Sequence, residues 1–428
     1  FCLATPFWYN TALKIVKPLY QWRIKKRAKD SAEYQQECLE RFGPFQDVKN
    51  QHAIWFHCVS VGETNAAQPL IEHYLKAGHA VLVTNTTKTG QARAKSLFLK
   101  APYQALFQAV YLPADQRYLV ADFYQKYQPK LLILVETELW PNLIDQAQQF
   151  KVPCILVNAR LSEKSAKGYA KVPSLTRPML QKLDQLLAQD IATQQRFIDL
   201  GMPQDKTQVL GSIKFDISAP EQFIHKAQQL QQDWNLANRK IITIASTHAP
   251  EEEKLFLAFK TYLEQYPDWL LIVVPRHPER FDEVFAAAQS LNLTTQRRSL
   301  EQAIESNTQV YLADSMGEMW LWYALSQACF VGGSLNEPGG GHNILEAMVL
   351  DVPTVIGPHY FNFQAIVDEF LQADALKVGQ TVDEVVQLLV RCLEDQAFAQ
   401  QLSQHAIDVL KRNQGSLYKH IAVIDQYL

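Results

Sequence analysis

The sequence predicts an α/β protein with two Rossmann-like domains, each built on a parallel, doubly wound sheet. Short apolar runs alternate with helical patterns, this alternation occurs in two series, and a polar segment separates the series. The chain has 428 residues, which is more than one hydrophobic core usually serves. We therefore predict domains at 50–216 and 239–400, a linker at 217–238, and C-terminal helices at 401–428 that pack back on the first domain.

Strands are predicted where apolar residues form short uninterrupted runs, as in buried parallel strands. In the first series the runs are Ala53–Phe56, Ala80–Val83, Val110–Leu112, Leu131–Val135, Ile155–Val157 and Leu186–Ala188, and helical patterns lie at Thr64–Lys76, Asp115–Tyr127 and Leu143–Phe150. In the second series the runs are Ile241–Ala245, Leu270–Val274, Val310–Leu312, Cys329–Val331 and Thr354–Ile356. The Gln-rich segment between the two series is interpreted as a linker that contains a helix.

Composition excludes several classes of function. A hydrophobic content of 47% with 20% charged residues is typical of globular proteins. A net charge of -3 gives no overall attraction to nucleic acid, so we predict no nucleic-acid partner. The six cysteines show no CxxC spacing, which favours reduced thiols in a cytosolic compartment. Because the histidines lack zinc-ligand spacing and there is no DxD pair, we predict no metal and no cofactor.

The N-terminal segment, residues 1–30, is apolar and aromatic up to Trp22 and basic from Arg23 to Lys29. Lys14, Lys17 and Pro18 interrupt the apolar part, which falls short of the roughly 20 apolar residues that a spanning helix needs. Aromatic residues beside a basic cluster are typical of a helix that lies in the interface of an anionic membrane, here on the cytoplasmic side. The alternative is an ordinary amphipathic helix packed on the first domain.

Polar residues follow almost every predicted strand. In open α/β sheets ligands bind beyond the carboxyl ends of the strands, so these residues are the candidates for a site. They are Ser60, Gly62, Glu63, Glu136, Glu138, Arg160 and Lys214 in the first domain, and His248, Arg276, His277 and Glu318 in the second. We therefore expect a cleft that both domains line.

A glycine-rich segment, Ala328–Leu350, follows the fourth strand of the second domain and leads into a predicted helix, Ile344–Leu350. Bare backbone ahead of a helix lets N–H groups approach an anion closely. The segment contains neither GxxxxGK[ST] nor a strand-borne GxGxxG. We predict a phosphate or nucleotide site here; the alternative is a turn that needs glycine only for its geometry. His342 could donate to the phosphate or cap the helix.

Glu63 follows a strand at the start of a helix, where a carboxylate is expected to stay ionised and could take a proton from a hydroxyl. The alternative is a carboxylate that only stabilises the helix.

Glu136 and Glu138 share one face, so one could orient a substrate while the other holds Arg160 or Lys214; an internal salt-bridge network is the alternative. Cations at strand ends, such as Lys214 and Arg276, suit a leaving phosphate. His277 is interpreted as a packed loop residue. With no GxSxG serine motif, the pattern favours group transfer from a nucleotide to a hydroxyl.

Nine sequence strings occur in the order of a known family. They are SVGE (60–63), ETELWPN (136–142), NARLS (158–162), GSIKFD (211–216), STH (246–248), PRHPERF (275–281), DSMGEM (314–319), VGGSL with GGHN (331–343) and GPHYFNF (357–363). Together they resemble the 3-deoxy-D-manno-octulosonic acid (Kdo) transferases of lipopolysaccharide biosynthesis, which have the GT-B glycosyltransferase fold. The resemblance extends from about Trp55 to Phe363. Two positions depart from it: three glycines, Gly339–Gly341, stand where two are common, and Ala347 stands where proline is common.

The resemblance implies inverting transfer of Kdo from CMP-Kdo to a tetra-acylated lipid A precursor (lipid IVA) at the inner membrane, without a divalent metal. It implies that Glu63 is the general base and that Glu136 and Lys214 stabilise the transition state. The implied CMP-binding residues are Pro275, Arg276, Met316, Gly317, Glu318, Asn343, Ile344, Leu345 and Glu346. The supporting residues are Ser60, Gly62, Glu138, Arg160, His248, Gly340, Gly341 and His342.

Two other functions fit the same pattern. One is a nucleotide-sugar epimerase of similar fold that acts on UDP-sugars, and the other is a non-catalytic nucleotide-binding scaffold at the membrane. Competition between nucleotides distinguishes a Kdo transferase from the epimerase. A Kdo transferase should be protected by CMP, which occupies its donor site, and not by UDP.

Overall fold

In a computed structural model, the segments predicted as strands form two parallel sheets. The structure describes residues 5–28, 30–45 and 47–428, and at Arg27 and Ala365 it describes the backbone only. Residues 1–4 and Lys29 of the predicted N-terminal segment lie outside the described residues. The contacts divide the chain into two units. The first unit contains the described residues up to Asp216 together with Asn413–Leu428, and the second is Ile217–Arg412.

Within the described residues, the first unit holds a seven-stranded parallel sheet in the order β3-β2-β1-β4-β5-β6-β7. Its strands are β1 (Ile54–His57), β2 (Val81–Asn85), β3 (Phe107–Tyr111), β4 (Leu131–Val135), β5 (Cys154–Ala159), β6 (Gln185–Ala188) and β7 (Thr207–Val209). Its helices are α1 (Phe7–Arg27), α2 (Ser31–Phe42), α3 (Val61–Lys76), α4 (Lys88–Phe98), α5 (Arg117–Tyr127), α6 (Pro141–Gln149), α7 (Glu163–Ala170), α8 (Pro173–Gln181) and α9 (Ile191–Asp199). A helix was predicted in the N-terminal segment, where α1 lies, whereas the strand β7 and the helices α2, α4, α7, α8 and α9 were not predicted by position.

Helices cover both faces of this sheet, which explains why its strands are apolar throughout. On one face the ring of Trp55 packs 4.7 Å from Phe123 in α5. On the other face Phe56 lies 6.5 Å from Tyr74 in α3. Successive side chains of a strand point to opposite faces, so an uninterrupted apolar run is needed when both faces are buried.

The second unit repeats this architecture with another seven-stranded parallel sheet in the described chain, in the order β10-β11-β9-β8-β12-β13-β14. Its strands are β8 (Lys240–Thr247), β9 (Trp269–Pro275), β10 (Thr295–Arg297), β11 (Val310–Leu312), β12 (Ala328–Val331), β13 (Thr354–Ile356) and β14 (Lys377–Val378). Its helices are α10 (Glu221–Asp233), α11 (Glu251–Gln265), α12 (Phe281–Ser290), α13 (Met319–Ala324), α14 (Leu345–Val349), α15 (Gln364–Gln372), α16 (Val382–Glu394) and α17 (Gln396–Arg412). The sequence had not predicted β10 and β14, which are short edge strands.

The segment predicted as a linker, 217–238, is largely the helix α10 and belongs to the second unit. Phe223, Ala227, Leu230 and Trp234 follow one another at helical spacing and pack against a core cluster that includes Trp322. The many glutamines of this segment lie between these apolar residues. The overall composition therefore does not show that the apolar residues form one face of a helix.

The C-terminal part of the chain divides between the two units. Helix α17 packs in the second unit, where Leu402 is buried, whereas α18 (Ser416–Ile424) joins the first unit. Ile424 of α18 lies in the same core cluster as Phe56. The Tyr74 hydroxyl donates to Asp425 across 2.9 Å. Of the predicted segment 401–428, only the part after Arg412 therefore packs on the first unit.

The N-terminal helix α1 is packed on the first unit and leaves an apolar face exposed. The Tyr9 hydroxyl donates to Asp115 (2.8 Å), and the Lys17 ammonium donates to the hydroxyl of Tyr118 (3.1 Å). Exposed apolar side chains on the other face are Phe7, Trp8, Ile15, Val16, Leu19 and Trp22. No helix within the described ranges combines the length and the apolar character required to cross a bilayer. The packing matches the alternative of an amphipathic helix on the first domain, and membrane contact stays a prediction.

Candidate functional site

Each sheet has a point at which the strand order reverses, and several of the candidate residues follow the strands there. The reversal lies between β1 and β4 in the first unit and between β8 and β12 in the second. Loops that leave two adjacent strands in opposite directions open a crevice, which is where doubly wound proteins bind ligands. In the first unit, Glu63 follows β1, and Glu136 and Glu138 follow β4. In the second unit, His248 follows β8, and His342 lies in the loop after β12.

Glu63 is held in a capping box at the start of α3. Its backbone N–H donates to the Ser60 hydroxyl (3.4 Å), which donates to Glu63 Oε1 (3.2 Å), and the Val59 N–H donates to Oε2 (2.7 Å). A Cβ added at Gly62 would meet nothing closer than 3.8 Å, so packing does not require glycine there. The helix-stabilising contacts of the alternative interpretation are therefore present, and they also fix the position of the carboxyl group.

The protonation of Glu63 differs from what the sequence suggested. We expected the helix start to keep this carboxylate ionised, but burial raises the pKa of Glu63 to about 8, and the nearby carboxylates Glu138 and Glu136 add to the increase. The hydrogen bonds from Val59 and Ser60 oppose this change without cancelling it. Loss of solvation outweighs the helix dipole because the dipole stabilises a charge only modestly.

Glu136 and Lys214 form an ion pair at the carboxyl end of β4, with 2.5 Å between Lys214 Nζ and Glu136 Oε1. Both side chains are largely buried. The backbone of Glu136 is left-handed (φ 63°), which is uncommon outside glycine and is concentrated at functional sites. Of the two cations considered from the sequence, Lys214 is thus the one that contacts Glu136. The Arg160 side chain is exposed and has no ion pair in the described part of the chain.

Glu138 accepts a hydrogen bond from the indole N–H of Trp140 (3.1 Å). Burial raises the pKa of Glu138 to about 7, and the charge of Glu136 contributes. Glu63 and Glu138 are therefore two neighbouring carboxyl groups that both titrate near neutral pH, while Glu136 is paired with a cation.

Asn158 and Asn413 position Lys214, and the sequence analysis did not select either residue. Asn158 has a left-handed backbone (φ 51°), and its side-chain oxygen accepts from the Ile213 N–H (3.2 Å). The side-chain oxygen of Asn413 accepts from the Ser212 N–H (2.8 Å). An asparagine directly after the predicted run Ile155–Val157 was the available signal for Asn158, which lies near the end of β5, because asparagine tolerates this conformation. Asn413 lies about 200 residues from Ser212 in the chain, and no local pattern identifies it.

Three histidines gather at the strand reversal of the second unit. His248 and His342 share a hydrogen bond between their Nε2 atoms (2.8 Å) with nearly parallel rings, and the His277 ring stands edge-on to His248 at 4.9 Å. Burial lowers the pKa of His342 to about 4, and His248, Arg276 and His277 add to this. His342 thus pairs with His248 and does not cap the helix. In the described residues, no three side chains of the His, Cys, Asp or Glu type converge as metal ligands would.

Arg276 is the exposed cation of this region. Its backbone N–H donates to Thr247 (3.0 Å) directly after Pro275 ends β9, and its side chain has no partner among the described residues. Arg280 is paired with Glu252 (2.8 Å), and Arg298 with Glu318 (3.0 Å). Arg276 is therefore available to an anionic ligand in a way that these arginines are not.

Glu318 lies among several donors. Arg298 donates to both of its oxygens, and Lys226 and the Ser315 hydroxyl also contact it. These contacts outweigh burial and lower the pKa of Glu318 to about 2. The neighbouring Met316 is exposed, and Gly317 has a left-handed backbone (φ 83°) with open space around it.

The helix after the glycine loop is shorter than the sequence predicted. It covers Leu345–Val349, five residues, instead of Ile344–Leu350, so its dipole is a weak attraction for phosphate. Asn343 Oδ1 accepts from the Leu345 N–H (3.1 Å), while Asn343 Nδ2 lies 3.4 Å from Glu346 Oε1. Ile344 and Leu345 are buried.

Close packing explains the glycines before this helix. Gly340 is left-handed (φ 120°), and an added Cβ would approach Asn362 Nδ2 to 2.2 Å. At Gly341 (φ 73°) a Cβ would lie 3.1 Å from Tyr360 Cα. These glycines are required for geometry, which was the alternative interpretation of the segment.

Glu251, which the sequence analysis missed, organises the loop after β12. Its fully buried carboxylate accepts from the N–H groups of His248 (2.9 Å), Gly333 (2.8 Å), Ser334 (3.0 Å) and Leu335 (2.9 Å). Four charge-assisted bonds from one carboxylate tie the loops after β8 and β12 together. The sequence does not distinguish Glu251 from its neighbours, because it is the first of three successive glutamates.

Both halves of the chain match family models. Residues 36–217 match the 3-deoxy-D-manno-octulosonic-acid transferase model, and residues 227–409 match that of the group 1 glycosyl transferases. The chain is 34% identical to 3-deoxy-D-manno-octulosonic acid transferase of Haemophilus influenzae, over 99% of this chain and 98% of that protein. It is 31% identical to the Bordetella pertussis protein of the same name, over 98% and 99% of the two lengths. The C-terminal CMP-Kdo binding domain of WaaA from Acinetobacter baumannii is 59% identical, covering 45% of this chain and all of that domain, with a TM-score of 0.45.

Proposed function

The chain belongs to the 3-deoxy-D-manno-octulosonic acid transferase family of glycosyltransferases, and we propose that it transfers Kdo from CMP-Kdo to a hydroxyl of a tetra-acylated lipid A precursor in lipopolysaccharide biosynthesis. The observation that carries this proposal is the similarity to Kdo transferases along nearly the whole chain. The proposal is supported by Glu63 and Glu136, which follow the strands at the reversal of the first sheet, and by Asn343–Glu346, which follow a strand at the reversal of the second, where this fold binds ligands.

In the first unit, Glu63 acts as the general base. The acceptor hydroxyl oxygen forms a bond to the anomeric carbon of Kdo, and its proton passes to the Glu63 carboxylate. The bond from that carbon to the phosphate oxygen breaks, and CMP leaves with the electron pair, so that the anomeric configuration is inverted. A carboxylate with a raised pKa is a stronger base than an exposed one, provided that the pH leaves part of it ionised.

The ion pair of Glu136 and Lys214 provides fixed charges near this base. Lys214 stabilises negative charge that grows on the leaving phosphate, and Glu136 stabilises positive charge that develops on the sugar ring. Because the pair is largely buried, its charges act through a medium less polar than water.

In the second unit, Arg276 binds the single phosphate of the donor, because its guanidinium is exposed and has no other partner in the described chain. Backbone groups at Met316, Gly317 and Asn343–Glu346 hold the remainder of CMP. A donor with one phosphate does not require the metal that a diphosphate commonly does, and we propose transfer without a metal or cofactor.

We propose that the protein acts at the cytoplasmic face of the inner membrane, where an acylated acceptor is held by the bilayer. The exposed apolar side chains of α1 and its basic residues support this location, because together they suit the interface of an anionic membrane.

The proposal is tested by incubating the purified protein with CMP-Kdo and the tetra-acylated precursor and weighing the lipid products. We expect a mass increase of one or more Kdo residues and release of CMP in equal amount. CMP should inhibit the reaction, whereas UDP at the same concentration should not. Lipid masses that stay unchanged would overturn the proposal. Inhibition by UDP and not by CMP would also overturn it and would favour the epimerase.

A further inference from the structure

The first unit contains an apolar cavity of about 270 Å³ between the N-terminal helix and the sheet. Leu13, Val16 and Tyr20 of α1 form one wall. Opposite them lie Phe42 of α2, the residues after β3, which include Leu112 and Ala114, and Trp140 at the start of α6. We call this space the α1 cavity.

The polar groups that reach the α1 cavity are held by other protein atoms. The Arg41 guanidinium donates to Glu37 (2.8 Å) and to the Thr86 carbonyl (2.6 Å). Asp115 accepts from the Tyr9 hydroxyl and from two backbone N–H groups. Gln116 donates to the Leu13 carbonyl (3.1 Å), and its side-chain oxygen is the one buried acceptor of this lining without a partner in the described chain. A polar ligand would therefore lose more hydrogen bonds to water than it gained, and an apolar ligand is favoured.

We place the opening of the cavity beside Val16 of α1. Val16 lines the cavity and is also 49% exposed. The helix carries six basic residues and no acidic residue, and the Lys17 ammonium lies 5.3 Å from the centre of the Phe42 ring. A ligand that enters past Val16 would meet the Lys17 ammonium beside the opening and apolar walls inside. This is the charge pattern of a chain attached to an anionic headgroup.

We propose that the α1 cavity takes the end of one acyl chain of the lipid acceptor, while basic residues of α1 meet the phosphates of its headgroup. This rests on the proposed function, in which the acceptor is an acylated phosphorylated disaccharide. Trp140 links this cavity to the carboxylates, because its ring lines the cavity and its N–H donates to Glu138. Binding of the acyl chain in the cavity therefore sets the position of the acceptor sugar relative to Glu138, and it lets the protein distinguish acylated from deacylated acceptors.

The test is to fill the cavity and compare acceptors. Val16→Trp blocks the opening from an exposed helix position, and Ala114→Leu fills the far wall. Ile15→Trp is the matched control, because Ile15 is 73% exposed on the same helix and does not line the cavity. Each methylene group returned to water changes affinity about fourfold. We therefore expect KM for the tetra-acylated acceptor, in detergent, to rise at least about tenfold in both variants, with KM for the deacylated disaccharide and for CMP-Kdo unchanged.

Binding of the acylated acceptor without CMP-Kdo, measured by calorimetry, separates this proposal from the proposed function. Weaker binding in Val16→Trp together with no transfer by the wild type would support the cavity and overturn the transferase. Transfer with equal KM in all the folded variants would overturn the cavity proposal. So would weaker binding of Val16→Trp to plain phospholipid vesicles with an unchanged acceptor KM, since the cavity would then hold a membrane lipid.

Discussion

The strand reversals of the two sheets differ in the chemistry of their buried titratable groups. The first sheet presents carboxyl groups there, with the pKa of Glu63 raised to about 8 and that of Glu138 to about 7. The second sheet presents imidazoles, with the pKa of His342 lowered to about 4 and that of His248 also lowered. Burial is the largest cause in each case, and it favours the neutral form of an acid as well as of a base.

Under the proposed function, this difference suits separate roles for the two regions. A carboxyl group with a raised pKa holds a proton well once it has received one, which suits the removal of a proton from a hydroxyl. Neutral imidazoles do not attract an anion by charge, so in the proposed function the exposed guanidinium of Arg276 binds the phosphate. Mutations that exchange or remove these groups should therefore affect the chemical step in the first unit and ligand affinity in the second.

The largest effect is expected for Glu63→Gln. Glutamine can keep the hydrogen bonds of the capping box but cannot accept a proton, so kcat should fall at least roughly 10²-fold. CMP affinity, measured by calorimetry, should stay unchanged. The matched control is Glu72→Gln, which removes a partly exposed carboxylate from the same helix. Full activity of Glu63→Gln would exclude this residue as the base.

Glu63→Gln should also change how stability depends on pH. The pKa of Glu63 is higher in the folded protein, so between about pH 4.5 and about pH 8 the folded state binds a proton that the unfolded state has lost. Stability contributed by this group therefore decreases as the pH rises through that window. Thermal unfolding across this range should show a smaller decrease in Tm for the variant than for the wild type, and identical slopes would contradict the raised pKa.

The sequence predicted well the features that depend on the periodicity of apolar residues. It predicted poorly the protonation states, which depend on burial and on contacts between distant parts of the chain. Its apolar runs located the central strands, because a strand buried on both faces must be apolar throughout. It placed Glu63 and Glu136 at strand ends, since that position follows directly from chain order. Whether Glu63 is ionised could not be predicted, because the result depends on burial and on Glu138, which is 75 residues away in the chain.

Long-range contacts account for most of the other differences. Asn413 reaches Ser212 because the chain returns to the first unit after Arg412, and no local pattern encodes that return. The role of Glu251 depends on four backbone groups from two loops. The glycines at 340 and 341 suggested a phosphate loop, whereas their spacing reflects the close approach of Tyr360 and Asn362.

An intermediate effect is expected for Arg276→Ala in the second unit. Hydrogen bonds to a charged group contribute about 1.5–3 kcal/mol, so KM for CMP-Kdo and Kd for CMP should both rise about tenfold or more. Saturating donor should restore kcat to within a few-fold of the wild-type value. Lys260→Ala, which removes one positive charge from α11, is the control and should change neither constant. A fall in kcat without a change in affinity would place Arg276 in the chemical step and remove the distinction between the two regions.

The smallest effect is expected for Glu138→Gln, and it tests the raised pKa of the first unit directly. Glu138 is the largest charged contributor to the raised pKa of Glu63, whereas Glu136 is paired with Lys214. In the wild type, kcat/KM should rise with pH through about 8, as Glu63 loses its proton, with an apparent pKa that belongs to the pair of carboxyl groups. Without the charge of Glu138 the Glu63 carboxylate is easier to form, so the midpoint should move to lower pH by up to about one unit.

Glutamine at position 138 can still accept the hydrogen bond from Trp140, so the geometry of the loop should be kept. Above pH 9 the variant and the wild type should therefore differ by only a few-fold, and near pH 6.5 the variant should be relatively more active. Glu163→Gln, at the exposed start of α7, removes one charge from the same unit and should leave the midpoint in place. A midpoint that is the same in all three proteins would mean that Glu138 does not set the pKa of the base. Burial would then be the main cause of the neutral carboxyl groups of the first unit, as it is for the imidazoles of the second.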